Sequence, residues 1–275
     1  MDNSRTALIS GATSGIGSVI AAHLARKGYR LIILGRSVQK LDSLCNHLSV
    51  INPNVKLDKV LCDLSSLNSI KKACEQIKKS QKSIDLMILN AGLWNFQFIQ
   101  TTDKIEETFQ VNLLSTIVIF NELKDLIKKQ AEAKVIFTTS GLHQGTINFS
   151  DIELREKFSG FKAYRQSKLG IILLTRWLSK QALNSGISFY CVHPGMVNTQ
   201  LGRNAGWFSR SIFKLFGKSP EKGAQTHIYL IDSNSQDLKS GECYTDSKIM
   251  KTTPYSYNVD AAEKLWNVVH QYLNK

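Results

Sequence analysis

A tyrosine and a lysine four positions apart are the side chains of this sequence best suited to acid–base chemistry. Tyr164-Arg-Gln-Ser-Lys168 opens a helical pattern that continues to Ser185, and this spacing places the phenol and the ammonium on one helix face, a turn apart. A buried lysine charge near a phenol favours the phenolate and lowers the tyrosine pKa from about 10 toward the range of an acid–base catalyst. Because the spacing is common by chance, its meaning depends on the elements around it.

A glycine-rich turn near the N-terminus is suited to holding phosphate. A predicted strand at residues 7–10 runs through Gly11-Ala-Thr13-Ser14-Gly15-Ile16-Gly17 into a helix that begins near Ile16. Glycines allow the tight turn and the close approach of a pyrophosphate, and the free N–H groups and dipole of the helix favour the anion. The alternative is a tight turn without a ligand, which the strand before it and the helix after it disfavour.

The end of the second predicted strand bears on which dinucleotide would bind. In a dinucleotide fold that takes NAD, an acidic residue about 20 residues beyond the glycines holds the ribose hydroxyls, whereas this chain has Gly35-Arg36. A guanidinium suits a 2′-phosphate, and no acidic residue stands there to repel it. The sequence therefore favours NADP(H), the alternative being a surface arginine just past a strand.

Short apolar runs alternate with amphipathic stretches along the chain. The predicted strands are residues 7–10, 31–34, 56–62, 84–89, 135–139 and 187–192, and helical patterns cover residues 16–27, 66–79, 105–129 and 164–185. This alternation favours a parallel sheet with helices on both faces and right-handed crossovers. We therefore predict an α/β fold, a single doubly wound Rossmann-type domain over residues 1–275 with a mostly seven-stranded parallel sheet.

The alternation breaks at residues 202–218, which are rich in Trp, Phe and basic residues and precede Ser219-Pro220-Glu221, a helix start. We expect a lid-like insertion at about residues 200–220, over the carboxyl edge where ligands of open α/β sheets bind. Residues 206–216, which include Trp207 and Phe208, have three interpretations: a mobile substrate lid, a contact with an anionic membrane surface, or ordinary core.

Composition is that of an ordinary packed domain, with 43% hydrophobic and 21% charged residues. The sequence has no run of about 18 apolar residues and no signal-peptide pattern. Its five scattered cysteines form no CxxC pair and no histidine cluster accompanies them, so we expect reduced thiols and no metal site. These features predict a cytoplasmic protein, peripheral on a membrane if residues 206–216 dock there.

The net charge of +13 is a stronger deviation, and it suits nucleic acid, anionic lipid or an anionic cofactor. The lysines lie largely in pairs at helical positions, as in Lys71-Lys72, Lys78-Lys79 and Lys128-Lys129. Because no recognition motif accompanies them, we interpret them as solvated surface and expect no specific nucleic-acid partner.

Several motifs together resemble the short-chain dehydrogenase/reductase family. The glycine turn has the spacing GxxxGxG rather than GxGxxG. Ser140-Gly-Leu-His143, Ile147-Asn-Phe149, Ala163-Tyr-x-x-Ser-Lys168 and His193-Pro-Gly195 resemble the retinol dehydrogenase and WW-domain oxidoreductase branch. Members of that branch also carry a comparable insertion between the serine and the tyrosine, which here lie 24 residues apart.

The resemblance implies hydride transfer between NADP(H) and a carbonyl or alcohol, with Tyr164 as the proton donor. Ser140, at the end of the fifth predicted strand, would position the substrate oxygen. Lys168 would orient the cofactor ribose and support the phenolate. Asn112 lies in the middle of a predicted helix, where asparagine is an indifferent helix former; it would hold a helix irregularity and a water linked to the lysine, the alternative being a solvent-facing polar residue.

The resemblance also implies the contacts of the cofactor. Asp63 would accept a hydrogen bond from the adenine amino group, or cap the helix that begins near Ser66, or both. Asn90-Ala91-Gly92 resembles the family's NNAG with Leu89 in place of the first asparagine. Pro194-Gly195 would turn the backbone beneath the nicotinamide. The expected cofactor set is Gly11, Thr13, Ser14, Gly15, Ile16, Gly17, Arg36, Asp63, Leu64, Asn90, Ala91, Gly92, Tyr164, Lys168, Pro194, Gly195, Val197 and Thr199.

The implied substrate is a lipophilic aldehyde, ketone or alcohol of retinoid-like class. Its expected contacts are Leu142, His143, Trp94, Trp207 and Phe208. No GxSxG nucleophile elbow is present, so His143 and His193 do not indicate a hydrolase, and a structural role is assigned to both. In relatives the helices at residues 105–129 and 164–185 often pair subunits, which allows a homo-oligomer. The alternative function is a non-catalytic NADP(H)-binding regulatory or scaffold protein.

Overall fold

An eight-stranded sheet forms the centre of the computed structural model, which describes residues 4–127, 132–183, 185–197 and 218–273. Its spatial order is β3-β2-β1-β4-β5-β6-β7-β8. Seven strands run parallel, and β8 pairs antiparallel with β7. The strands are β1 Thr6–Ser10, β2 Arg30–Gly35, β3 Leu57–Leu61, β4 Leu86–Leu89, β5 Ala133–Thr138, β6 Ile187–Val192, β7 Cys243–Thr245 and β8 Lys248–Ile249.

Helices cover both faces of this sheet. They are α1 Gly15–Arg26, α2 Val38–Ile51, α3 Leu67–Ser80, α4 Glu107–Phe109, a π-helical turn Gln110–Leu114, α5 Ser115–Ile127, α6 Gly160–Gln181, α7 Pro220–Asp232 and α8 Val259–Leu273. Single 3₁₀ turns lie at Ser235–Asp237 and Pro254–Tyr257. Within the described ranges, no helix has the length and hydropathy needed to span a membrane.

Alternate strand residues supply two hydrophobic cores. On β1, Leu8 packs with α3, α5, α6 and α8, whereas Ala7 and Ile9 pack with α1, α2 and α7. This period-two division, with both faces buried, explains why the strands are short apolar runs rather than alternating ones. The predicted doubly wound α/β fold is therefore confirmed, with the short antiparallel β8 added at one edge.

Two predicted helices differ from their sequence patterns. The pattern at residues 105–129 is divided by the π-helical turn Gln110–Leu114. The helix of Tyr164 begins earlier than predicted because the Ser159 side chain accepts a hydrogen bond from the Lys162 backbone N–H and so caps α6 before Gly160. Tyr164 consequently lies in the second turn of α6. The helix start at Ser219-Pro220 is confirmed, and Ser219 caps α7 in the same way.

The last helix, α8, packs against α6 and secures its position. Trp177 of α6 stacks on Trp266 of α8 with ring centroids 4.4 Å apart. Tyr272 donates a hydrogen bond to Glu153 at 2.9 Å, and its ring contacts Phe109. The α8 helix therefore joins α6 to the segment between β5 and α6.

We expect Leu265→Ala to destabilise the protein by about 2–5 kcal/mol, because Leu265 is fully buried between α8 and α6 and its removal leaves a cavity. Urea unfolding followed by circular dichroism measures the change. The neighbouring exposed Glu263→Ala is the control and should change the free energy of unfolding by less than about 0.5 kcal/mol. Equal effects of the two substitutions would contradict the packing role of this helix.

Candidate active site

A cleft of about 720 Å³ opens at the carboxyl ends of the parallel strands. It lies where the strand order reverses between β1 and β4, the place where ligands of open α/β sheets bind. Its volume is in the range of small-molecule and cofactor sites. The loops that follow β1 to β6 all contribute to its lining.

The cleft contains most of the residues that the sequence singled out. Its lining includes Gly11, Thr13, Ser14, Gly15, Ile16, Arg36, Asp63, Leu64, Asn90, Ala91, Gly92, Trp94, Ser140, Leu142, Tyr164, Lys168, Pro194, Gly195 and Val197. Gly17, Asn112 and His143 are not part of the lining. Thr199, Trp207, Phe208 and the expected lid at 200–220, except for residues 218–220, lie outside the described residues.

The glycine turn can be built only with glycine at its critical positions. Gly11 and Gly15 have φ of +69° and +57°, where side chains are strained. A Cβ on Gly17 would lie 2.1 Å from the Gly11 carbonyl oxygen, so Gly17 closes the turn from within rather than lining the cleft. Ser14 makes no side-chain cap on α1, and the first turn of α1 has no acidic residue. The first N–H groups of α1 therefore remain available to an anionic ligand.

Hydrogen bonds connect the ends of β1, β4 and β5. The Ser10 hydroxyl accepts from the backbone N–H groups of Asn90 and Ala91, both at 3.2 Å. The Asn90 side chain donates to the Gly11 carbonyl and accepts from the Thr138 hydroxyl. The predicted Asn-Ala-Gly segment thus holds the glycine turn against the strand that ends beside Ser140.

The end of β2 presents two cationic groups that suit an anion. Arg36 and Lys40 line the cleft, together with Ser37. The Ser37 side chain accepts from the Lys40 backbone N–H and caps α2. Only Arg36 was named here from the sequence, and Ser37 and Lys40 were missed, although a serine at a helix start is a recognisable cap signal.

Asp63 follows β3 and lines the cleft, but it does not cap α3. Its Oδ1 accepts from the backbone N–H and the hydroxyl of Ser65 at 3.0 and 2.7 Å. The cap of α3 is Ser66, which accepts from the Ser69 N–H. The capping interpretation of Asp63 is therefore wrong, because the residue one position before the helix takes that role.

Lys168 is buried, and its ammonium is held by Thr138, the last residue of β5. Its Nζ donates to the Thr138 carbonyl at 3.0 Å and lies 5.7 Å from the centroid of the Tyr164 ring. A Cβ on Gly92 would approach this Nζ to 3.2 Å, so a glycine leaves the room that the ammonium needs. Burial lowers the pKa of Lys168 to about 8.

Tyr164 lies between Ser140 and an aromatic wall. The Trp94 ring stacks on it with centroids 4.6 Å apart and planes 14° apart, and the Trp94 indole N–H donates to the Gly160 carbonyl. Burial raises the pKa of Tyr164 to about 12, and a hydrogen bond with Ser140 opposes part of that rise. The expected lowering of this pKa is wrong for the protein alone, because desolvation of the phenol outweighs the nearby lysine.

Asn112 lies in the π-helical turn, so the expected helix irregularity is present at this residue. Its Oδ1 accepts from the Leu93 N–H, and its Nδ2 donates to the Leu93 carbonyl and the Ser167 hydroxyl. Asn112 is buried, so it does not face solvent. It fixes the loop after β4 against α6, next to Gly92 and Lys168, while its link to a water remains a prediction.

The cleft also includes residues that the sequence analysis did not place in the site. Asn95 donates to the Glu107 carboxylate at 2.6 Å, and both line the cleft. His193 lines it as well, and its Nδ1 accepts from the Gly141 N–H. Each pair joins parts of the chain that are distant in sequence, so no spacing indicates these contacts, although the His193-Pro-Gly195 motif had singled out His193 for a structural role. Within the described part of the chain, no cluster of His, Cys, Asp or Glu is arranged to hold a metal.

A doubly wound sheet with a glycine turn and a buried tyrosine–lysine pair in one cleft is the arrangement expected of an oxidoreductase that uses a nicotinamide dinucleotide. Comparison with known families agrees: residues 5–207 match the model of the short chain dehydrogenases. The chain is 33% identical over 267 residues to mouse (Mus musculus) retinol dehydrogenase 12. The aligned region covers 96% of this chain and 84% of that protein.

Solved structures share the fold. A protein of Mycobacterium paratuberculosis has a TM-score of 0.80 at 23% identity, covering 98% of this chain and 94% of its own. An alcohol dehydrogenase of the archaeon Thermococcus sibiricus, complexed with 5-hydroxy-NADP, has a TM-score of 0.66 at 23% identity, covering 86% of this chain and 94% of its own.

The chain belongs to the short-chain dehydrogenase/reductase family, and it is an oxidoreductase that acts on CH–OH groups.

A buried histidine of α7 completes the network behind the site. His227 Nε2 lies 2.9 Å from the Thr138 hydroxyl, and the Thr138 hydroxyl donates to Asn90. The hydroxyl therefore accepts from the neutral histidine. Burial lowers the pKa of His227 to about 3.

This pKa predicts acid sensitivity of the fold. An unfolded histidine binds its proton below about pH 6.5, whereas folded His227 stays neutral down to about pH 3. Its contribution is thus present above pH 6.5 and is lost as the pH falls, by roughly 2 kcal/mol between pH 7 and 5. We expect His227→Gln to remove that part of the pH dependence of urea unfolding, and His47→Gln, at an exposed histidine, to retain it.

Proposed function

We propose that this protein is an NADP(H)-dependent oxidoreductase that interconverts a lipophilic carbonyl and its alcohol. The observation that carries the proposal is the position of Tyr164, which lies in one cleft with Ser140, Lys168, the glycine turn and Arg36. The side chains suited to acid–base chemistry are Tyr164, Ser140 and Lys168. They meet the groups suited to binding an anion, the glycine turn and Arg36, at the same edge of the sheet.

The residues of the cleft fit a dinucleotide phosphate. The glycine turn and the uncapped start of α1 would hold the pyrophosphate, and Arg36 and Lys40 would hold a 2′-phosphate. Asp63, which lines the cleft, would contact the adenine end. The relative from Thermococcus sibiricus, whose structure contains a hydroxylated NADP, supports the preference for the phosphorylated cofactor.

The protein's own groups would manage the proton. When bound, the nicotinamide supplies or accepts the hydride. Because the pKa of Tyr164 is raised to about 12, the phenol keeps its proton at neutral pH and can donate it to a developing alkoxide. Ser140 would hold the substrate oxygen beside that phenol. Lys168, whose pKa is lowered to about 8, supplies a nearby group that still carries positive charge at neutral pH.

The walls of the cleft suit an apolar substrate. Trp94, Leu142, Val111 and Met196 line it next to Tyr164 and Ser140, and a second aromatic ring, Phe96, stacks on Trp94 at 5.1 Å. A relative named for retinol, a lipophilic alcohol, supports the same substrate class. The three interpretations of residues 206–216 concern a segment outside the described residues.

We also infer a reducing compartment. All five cysteines are buried free thiols, and disulfides form mainly in oxidising environments. This supports the cytoplasmic location expected from composition. A thiol titration under denaturing conditions of protein purified without reductant should return all five thiols.

Tyr164→Phe is the direct test of the reaction. We expect it to lower NADPH-dependent turnover at least a hundredfold, because the proton donor is lost, while NADPH still binds. Absorbance at 340 nm with a panel of aromatic and long-chain aldehydes, ketones and retinal measures turnover, and NADPH fluorescence measures binding. Tyr257→Phe, at a half-exposed tyrosine, is the matched control and should retain full activity. Tight NADPH binding without turnover of any panel member would favour the regulatory or scaffold alternative.

Arg36→Leu tests the choice of cofactor. We expect it to raise the Kd of NADPH roughly ten- to hundredfold, the effect of losing charge-assisted hydrogen bonds to a 2′-phosphate, and to change the Kd of NADH by less than about twofold. Arg26→Leu, at an exposed arginine of α1, is the control. A parallel loss of affinity for NADPH and NADH would contradict this role of Arg36.

A further inference from the structure

Two histidine rings hold the peptide unit that joins Ser140 to Gly141. His193 Nδ1 accepts a hydrogen bond from the Gly141 N–H at 2.9 Å. His143 Nδ1 lies 2.9 Å from the Ser140 carbonyl oxygen. We call this pair of rings the histidine clamp.

Hydrogen-bond chemistry fixes the proton position on each ring. A carbonyl oxygen only accepts, so His143 carries its proton on Nδ1. A backbone N–H only donates, so Nδ1 of His193 is bare and its proton is on Nε2. His193 is therefore neutral, Nδ1 is the donor on one ring and the acceptor on the other, and in their neutral forms the two rings are of opposite tautomer. Burial lowers the pKa of both, that of His193 to about 4, so this arrangement persists at neutral pH.

The clamp acts on the turn that orients the serine hydroxyl. Ser140 Oγ accepts from the Leu142 N–H at 3.1 Å, so its direction depends on the path of the backbone through residues 140–142. A Cβ on Gly141 would lie 2.9 Å from Nε2 of His193, so the imidazole packs directly on this turn. Rotation of the peptide unit would break both ring contacts and move Ser140 Oγ.

The sheet anchors the clamp on one side. The His193 backbone N–H donates to the Tyr244 carbonyl of β7 at 2.8 Å, and the Thr139 N–H donates to the Val192 carbonyl of β6 at 2.8 Å. His193 is thus held by the strands while its ring holds the loop. Unlike His143, which is buried, His193 also lines the cleft.

We propose that His193 is a positioning residue for the reaction: with His143 on the opposite side, its bare Nδ1 holds the Ser140–Gly141 peptide so that Ser140 Oγ stays aligned with Tyr164. The role rests on the proposed function, because it acts through the serine that would hold the substrate oxygen. It differs from the structural role assigned to the two histidines from sequence, since it specifies a nitrogen atom, a tautomer and a target.

A double-mutant cycle tests the link to Ser140. We expect His193→Leu to lower kcat about tenfold, the kinetic equivalent of one lost hydrogen bond, with the Kd of NADPH changed less than twofold. His193→Asn should restore most of the loss, because its amide oxygen can accept from the Gly141 N–H. In a Ser140→Ala background, His193→Leu should lower kcat by less than twofold.

The positioning role would be overturned if His193→Leu lowered kcat by the same factor in the wild-type and Ser140→Ala backgrounds. It would also be overturned if His193→Asn were no more active than His193→Leu. Thermal unfolding of each variant separates this from loss of fold, and His47→Leu, at an exposed histidine, should leave kcat unchanged.

Nitrogen-15 NMR of histidine-labelled protein tests the geometry without turnover. The two-bond couplings of each ring distinguish the tautomers, and we expect Nε2–H for His193 and Nδ1–H for His143 at neutral pH. Identical tautomers, or a charged ring at either position, would overturn the clamp. If no carbonyl is turned over by the wild type, the proposed function fails, and the NMR result still decides whether the clamp exists.

Discussion

The burial of one ammonium group organises this active site. A lysine charge removed from water requires partners, and Lys168 finds one at the carbonyl of Thr138, where β5 ends. That carbonyl is held in place because the hydroxyl of the same threonine binds Asn90 and His227. Gly92 leaves room for the ammonium, and the π-helical turn brings Asn112 to the same point. The end of β5, Gly92 and the π-helical turn therefore together accommodate the buried ammonium of Lys168.

The same burial reverses the usual order of the two titrating groups. In water a phenol and an alkyl ammonium have nearly equal pKa values, but here desolvation moves the tyrosine to about 12 and the lysine to about 8. Desolvation shifts both groups toward their neutral forms, because a charge on either lacks solvent, and Lys168 still carries most of its charge at neutral pH. The proton consequently stays on Tyr164, the group that faces Ser140, and the aromatic cover from Trp94 sustains this state. A bound anion near Lys168 would stabilise the ammonium charge and so raise the lysine pKa, opposite to the effect of desolvation.

Local features of the sequence were enough to predict the fold and much of the site. The glycine turn, the strand that ends beside Ser140 and the spacing of Tyr164 and Lys168 depend on neighbours in the chain, and all meet in the cleft. The pKa of Tyr164 could not be predicted, because the ring that desolvates it belongs to the loop after β4. The bond between His193 and Gly141 joins the ends of two different strands, and the start of α6 depends on a serine cap outside the apolar pattern. The bond between His193 and Gly141 could be seen only once the sheet had set these strand ends side by side, whereas the Ser159 cap is a local signal that the apolar pattern did not include.

The packing of α8 on α6 makes the catalytic part of the fold depend on the last of the described helices to be synthesised. The helix that carries Tyr164 and Lys168 has one face on the sheet and another covered by Trp266 and Leu265 of α8. The ribosome makes α8 after α6, β6, α7 and β7. The β1 to β3 segment, with its glycine turn, is synthesised well before α8. The helix that carries Tyr164 and Lys168 therefore gains its second neighbour only when the last of the described helices, made near the end of synthesis, has packed on it.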